Sequence, residues 1–477
     1  MIHKAILLIL FLLSFSFQAF SATYEVGPGK TFANVGDVPW ENMEAGDQVV
    51  IHWRQQPYQE KWVIAVKGTE QQPFVIRGVP NANGELPVID GRNATTRSKI
   101  NFWNESRGVI KIGGANSPAV DVPTWIVLEN LDIRSGRSPY QFTGRSGLAN
   151  YSSNAASVYV ENGRNITLRN CILRDSGNGL FVSHASRNVL VEGCWIYDNG
   201  IENSIYEHNA YTAAIGMVYQ FNYFGPLRAG CLGNNLKDRS AGTVVRYNWI
   251  ESGNRQLDLV DAEDSMELVN HPSYRETFVY GNILIEPDGA GNSQIAHYGG
   301  DSGNESAYRK GTLYFYNNTV ISTRTGNTTL LRLSTNDETS DCRNNVIYVT
   351  APGNRLGLLD SSGILHIRNN WFKSGWRESH GSLTGTLYNE GGILSGENPG
   401  FVDEASQDYH PASHSACVDA GTSLHPDTMA ALYQYRKHQT SKPRPSNGPL
   451  DIGAFEVLNP DKVPPNAPVD LRILYYQ

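Results

Sequence analysis

Lys237 and Arg239 stand two positions apart in the stretch NNLKDRS (234–240), directly before the β-rich run TVVRYNWI. In an extended segment, side chains at that spacing leave the same face of the backbone. Two adjacent cations repel, so either Asp238 and solvent answer them or they receive an anion. The chemistry such a pair suits is proton abstraction beside a carboxylate. Taking the C5 proton of a uronic acid creates an unstable carbanion unless the neighbouring carboxylate is neutralised by Arg, Lys, Asn or a metal. A nearby Lys, Arg, Tyr or His then accepts the proton, and a close positive neighbour lowers a lysine pKa toward the value a base requires.

Other reactive side chains cluster around this pair. YEHNAYTA (206–213) carries His208, a catalytic or a turn-capping residue, and Tyr211, an acid for a leaving oxygen or a sugar-stacking platform. QIAHYGGD (294–301) carries His297, catalytic or a structural hydrogen-bonding group, before glycines that let backbone approach a ligand. NRQLDLVDAED (254–264) holds Asp258, Asp261, Glu263 and Asp264. These acids suit a Ca²⁺ ion, the acid and base of a glycoside hydrolase, or a network with Arg255, Lys237 and Arg239. Asn209, Asn235, Tyr219, Arg255 and Tyr298 are expected substrate contacts. The run MVYQFNYFG (217–225) is either a groove wall or packing for the insert.

What must position these groups is a repeat. TWIVLENLDI, NITLRNCILRDSG, NVLVEGCWIYDNG, GTVVRYNWIESG, TFVYGNILIEPDG, GTLYFYNNTVIST, SDCRNNVIYVT and ILHIRNNWFKSG superpose as β-rich units. Aligned so, Asn248, Asn282, Asn318, Asn345 and Asn370 fall at one equivalent position, with Cys171 and Cys194 there in two earlier copies. Stacked Asn side chains can hydrogen-bond along a column and satisfy backbone at a bend. Each unit leaves an apolar strip that only its neighbours cover, which is the logic of a solenoid. The expected architecture is all-β, a right-handed parallel β-helix with an N-terminal cap and loop inserts. Residues 22–123 read as cap and first coils, 124–375 as central coils bearing the site, and 376–456 as last coils with a C-terminal layer. Residues 457–477 are Pro-rich and read as an extended linker resembling the start of a fibronectin type III module.

The composition agrees. The 477 residues are 40% hydrophobic but only 18% charged, so Asn, Ser, Thr, Gly and Tyr supply the polarity. A net charge of −8 argues against nucleic acid as a partner while allowing an anion in a local basic groove. Residues 1–21 show a basic start at Lys4, an apolar run, and small residues at Ala19 and Ser21. This is a secretory signal peptide, and no later apolar stretch has membrane-spanning length. The protein is expected to be secreted or periplasmic, and a monomer. Five cysteines are too few for a disulfide framework, and no zinc-type motif appears.

The leader, the Asn-bearing coils and DIGAFE (451–456) together resemble secreted right-handed β-helix proteins of bacteria. HNAY and NNLKDRSAG resemble members of that group described as polysaccharide-degrading, and are more distantly similar to alginate and chondroitin lyases on this scaffold. Those lyases use a Lys base and an Arg partner beside a Ca²⁺-bound uronate carboxylate, although their basic pair is spaced differently. The resemblance implies Lys237 as base, Arg239 as partner and an acidic polysaccharide as substrate. It leaves a hydrolase, an epimerase and a non-catalytic glycan-binding protein as rivals, because this scaffold hosts many activities.

Overall fold

The structure, a computed structural model, describes residues 21–438, 440–446 and 448–457. The expected leader up to residue 20, and the Pro-rich tail beyond Val457, lie outside the described residues. The chain is nearly all β and winds as a right-handed parallel β-helix, as expected. Strand pairing along the coils is parallel throughout, from Thr23–Val26 on Gln48–His52 to Ile364–Arg368 on Thr386–Asn389. One side of the coil is an 11-stranded sheet running from Val88–Asp90 to Leu394–Gly396. The other two sides are continuous with each other through the long bent strands Asn178–Glu192 and Ala210–Gln220. Short antiparallel hairpins, Phe401–Asp403 with Asp408–Pro411 and Tyr433–Arg436 with Thr440–Pro443, form a C-terminal layer packed on the outside.

The interior is a column of Val, Ile, Leu and Phe from every coil, each near zero exposure. At one bend this column becomes polar. Asn248 Nδ2 donates to Asn282 Oδ1 at 3.0 Å, Asn282 to Asn318 at 3.0 Å, Asn318 to Asn345 at 3.1 Å and Asn345 to Asn370 at 3.0 Å. Each Oδ1 also accepts the backbone N–H of the preceding rung's asparagine. The column extends one rung further than the sequence alignment reached, because Asn222 donates to Asn248 at 2.9 Å. Above it, Cys194 N donates to Asn222 Oδ1, and Cys194 and Cys171 continue the stack as buried thiols. All five cysteines are free.

The residue before each column member is left-handed, with φ between 47° and 65° at Asn170, Gly193, Phe221, Tyr247, Gly281, Asn317, Asn344 and Asn369. That bend turns the chain from one sheet to the next. Asn and Gly tolerate it cheaply, which explains the recurring NN and GN pairs. Phe221 and Tyr247 occupy it against their propensity, compensated by stacking on each other at 5.6 Å and on the C-terminal layer.

Asn282→Ala removes a fully buried amide that serves Val245 O, Tyr280 O and two neighbouring asparagines. Stranding these groups is expected to destabilise the protein by about 3 kcal/mol, against under ~0.5 kcal/mol for the exposed Asn83→Ala, read from denaturation midpoints.

Candidate active site

Strand register on one face sets the site. Lys111, Tyr159, Phe181, Tyr211, Lys237, Asp258, His297 and Arg332 are successive register partners, one from each coil. With coils about 4.8 Å apart, they make a straight row along the outside of the helix. The residues between them in each strand, such as Leu236 and Asp238, point inward.

Asp238 therefore does not answer the two cations that flank it. It is fully buried and accepts from Thr212 Oγ1 (2.7 Å), Ser240 Oγ (2.8 Å) and Thr243 Oγ1 (2.6 Å), beside the buried Arg309. The outward cations find other partners. Lys237 Nζ pairs with Asp258 at 3.1 Å and with Asp301, and Arg239 Nη2 donates to Asp301 Oδ1 at 2.9 Å. One carboxylate, Asp301, thus bridges both cations. Arg239 also donates from Nε to the Tyr211 hydroxyl at 3.1 Å and from Nη1 to the Asp261 carbonyl. Lys237 and Arg239 are each 9% exposed, covered by polar partners.

Burial pulls the Lys237 pKa down, but Asp258 and Asp301 together push it further the other way, so it lies above the ordinary lysine value. The expectation that Arg239 would make Lys237 a ready base is corrected: in this state Lys237 is firmly protonated. Asp258 is held far below the usual carboxylate range, because His297, Lys237 and Arg255 outweigh its desolvation.

His208 is buried, and its Nδ1 accepts the Asn234 N–H at 2.9 Å, so the proton sits on Nε2. Burial, aided by Lys237, pushes its pKa down to about 3, making it a neutral donor. Its ring meets Tyr211 edge-on at 5.4 Å, and Tyr211 meets Phe181 similarly at 5.3 Å. A cavity of about 80 Å³ opens beside Tyr211 and Arg239, lined further by Phe181, His184, Asp264 and Leu268.

Several expected site residues lie elsewhere. His297 has both ring nitrogens engaged, Nδ1 on Asp258 and Nε2 on Ser334 Oγ, each at 2.9 Å, so it positions Asp258 instead of facing a ligand. Asn209 and Asn235 form a second buried amide stack with Asn199, at 2.9 Å per step, and cannot reach substrate. Tyr219 and Tyr298 have zero exposure, Tyr219 bonding Thr212 inside the core. Arg255 is on the correct face but fastened to Gln294 at 2.7 and 3.0 Å.

The proposed Ca²⁺ set does not converge. Asp258 serves Lys237 and His297, Asp261 ties down the loop through Asp301 N (2.8 Å) and Ser302 Oγ (2.5 Å), and Glu263 and Asp264 are exposed. Among the described residues no group of three or more His, Cys, Asp or Glu could hold a metal ion. The arrangement does not fit Ca²⁺.

Asp301 and Arg332 went unrecognised as candidates. Asp301 follows the two glycines after Tyr298, and Arg332 appears when QIAHYGG is aligned with TLLRLS. The signal was the repeat itself, carried one coil further.

A pH signature follows. Below the ordinary histidine pKa of 6.5 the unfolded chain gains a proton that folded His208 refuses until about 3. His208 therefore lowers stability as pH falls through that window. Glu60 and Glu286, pushed up to about 7 by burial, act in the opposite sense. The His208→Gln variant is expected to lose less thermal midpoint than wild type between pH 7 and pH 4; equal losses would contradict the assignment.

No protein-family model and no curated protein matches the chain. Among solved structures, pectate lyase Pel9A is similar over 92% of this chain and 97% of its own, at 10% identity and a TM-score of 0.50. An alginate lyase from Paenibacillus sp. str. FPU-7 covers 71% of this chain and 94% of its own, at 11% identity and a TM-score of 0.44. PfbA, a surface adhesin of Streptococcus pneumoniae, covers 73% and 85%, at 12% identity and a TM-score of 0.42. At these identities the likeness is one of fold: the chain shares the parallel β-helix of Pel9A.

Proposed function

We propose that the protein is an exported polysaccharide lyase that cuts a uronate-containing glycan by β-elimination. The observation carrying this reading is the Asp301 carboxylate held between Lys237 and Arg239, one rung from the Tyr211 hydroxyl. A substrate carboxylate is the same group with the same charge, and it takes the place of Asp301 on Arg239, leaving Lys237 with Asp258 alone. Asp301 is suited to leave, since its side chain is 29% exposed and it sits between Gly299–Gly300 and Gly303, where φ at 131° and 82° is open to glycine.

With the uronate carboxylate on Arg239, its negative charge no longer resists formation of the C5 carbanion. Lys237, freed of one of its two carboxylates, gives up its proton more readily and takes the C5 proton as base. The C4–O4 bond breaks, its electron pair leaves with the oxygen, and Tyr211 donates the phenolic proton to that oxygen. Because the Tyr211 oxygen already accepts from Arg239, its own hydrogen is directed elsewhere. The product carries a C4=C5 double bond conjugated with the carboxylate. No step calls on Ca²⁺.

The test is a panel of acidic polysaccharides followed by near-ultraviolet absorbance, alongside a reducing-end assay. Lys237→Ala and Tyr211→Phe are each expected to lower turnover at least ~100-fold. Asp301→Asn removes a group that raises the Lys237 pKa, so the rising limb of the pH–rate profile moves to lower pH, and KM falls. New reducing ends without absorbance would replace elimination by hydrolysis. Polymer binding with no product of either kind, and little change in Lys237→Ala, would leave a glycan-binding protein.

A further inference from the structure

The row continues past the reacting groups in both directions, and on each side of them stands an arginine with no acidic side chain within 4 Å. On one side Arg107, from the turn Glu105–Arg107, lies over the rings of Tyr159 and Phe181, 5.0 and 4.8 Å from their centroids. Its Nε is buried and has no hydrogen-bond partner. On the other side Arg332 is the register partner of His297, three coils from Lys237. It is partly exposed and close enough to Arg255 and His297 to disfavour their charged forms.

Among the described residues neither arginine has a carboxylate within 4 Å. The contrast along the same row matters. Lys111 is paired with Glu161 at 2.7 Å, Lys237 with two aspartates, and Arg239 with Asp301 and Asp261. Where the fold needs a cation neutralised on this face, it supplies the acid. At Arg107 and Arg332 it leaves donor forks without a carboxylate, and the Arg107 guanidinium also lies against two aromatic rings.

We propose that Arg107 and Arg332 are the carboxylate-binding subsites that flank the cut, so that the substrate is a polyuronate carrying acidic sugars on both sides of the scissile bond. This rests on the lyase reading for the position of the cut, but not for the binding itself. The register puts Arg332 about 14 Å from Lys237, and Arg107 lies at a comparable distance on the other side, stacked over the rings of the coils two and three rungs away. A chain laid along the row engages Arg107, then the Lys237–Arg239 pair, then Arg332. A glycan with isolated acidic sugars meets only one of the three positions.

The experiment measures binding apart from turnover, in the Tyr211→Phe background, with uronate oligomers of increasing length and neutral oligomers of matched length. Oligomers long enough to reach both arginines are expected to bind at least ~10-fold more tightly than the trimer. Arg107→Ala/Arg332→Ala should abolish that gain, and Arg332→Lys should keep part of it. The salt dependence of binding should also weaken in the double variant. Thermal midpoints identify any variant that has not folded, and Arg107→Gln with Arg332→Gln then replaces the alanine pair. A length gain that survives in the double variant, or that neutral oligomers share equally, overturns the subsites. Arginine-dependent binding of long uronates without any unsaturated product keeps the subsites and removes the lyase reading. Unsaturated product with arginine-independent binding does the reverse.

Discussion

Everything in this protein depends on parallel strands stacking rung over rung with their registers aligned. A backbone hydrogen-bond ladder converts residues such as Lys237 and Asp258, 21 apart, or Asp258 and His297, 39 apart, into neighbours about 4.8 Å apart in space. The buried asparagine column protects that alignment. A slip of one residue in any coil would turn its asparagine toward solvent, strand the amides above and below it, and bring an inward leucine to the surface. The outer row of Tyr211, Lys237, Asp258 and His297 is held straight by the same constraint that keeps the core apolar.

The charges immediately around Lys237 balance. Three cations, Lys237, Arg239 and Arg255, face three carboxylates, Asp258, Asp261 and Asp301, while both histidines are pushed toward neutrality by burial. Such balance explains how so many ionisable groups can be nearly buried together, since each unpaired charge would carry a large desolvation penalty. The three carboxylates differ in what holds them. Asp258 and Asp261 are sealed, whereas Asp301 is part-exposed on a glycine-rich loop. The site is complete without ligand, and only one of its members is free to give way.

The sequence itself made the solenoid legible, because its two signatures are local. An asparagine at a fixed place in each coil and a Gly or Asn just before it require only that each coil repeat the last one's bend. The same reasoning singled out Lys237, Arg239, Tyr211 and His208, which the fold brings together. It failed where parity decided the outcome. Asn209 and Asn235 lie only two positions from Tyr211 and Lys237, yet the chain is still turning there, so their amides join an interior stack. Tyr219 sits eight positions after Tyr211 in one bent strand and points into the core.

Read alone, then, the sequence determined the architecture, the face that carries the polar groups and the residue types available for chemistry. These follow from periodicity and composition, which each coil expresses by itself. The tertiary structure decided the protonation of Lys237, the tautomer of His208, the bridging place of Asp301 and the scattering of the acidic residues expected to bind Ca²⁺. Those depend on distances between side chains of different coils and on how much water is excluded around them. Both are set only when the coils have stacked.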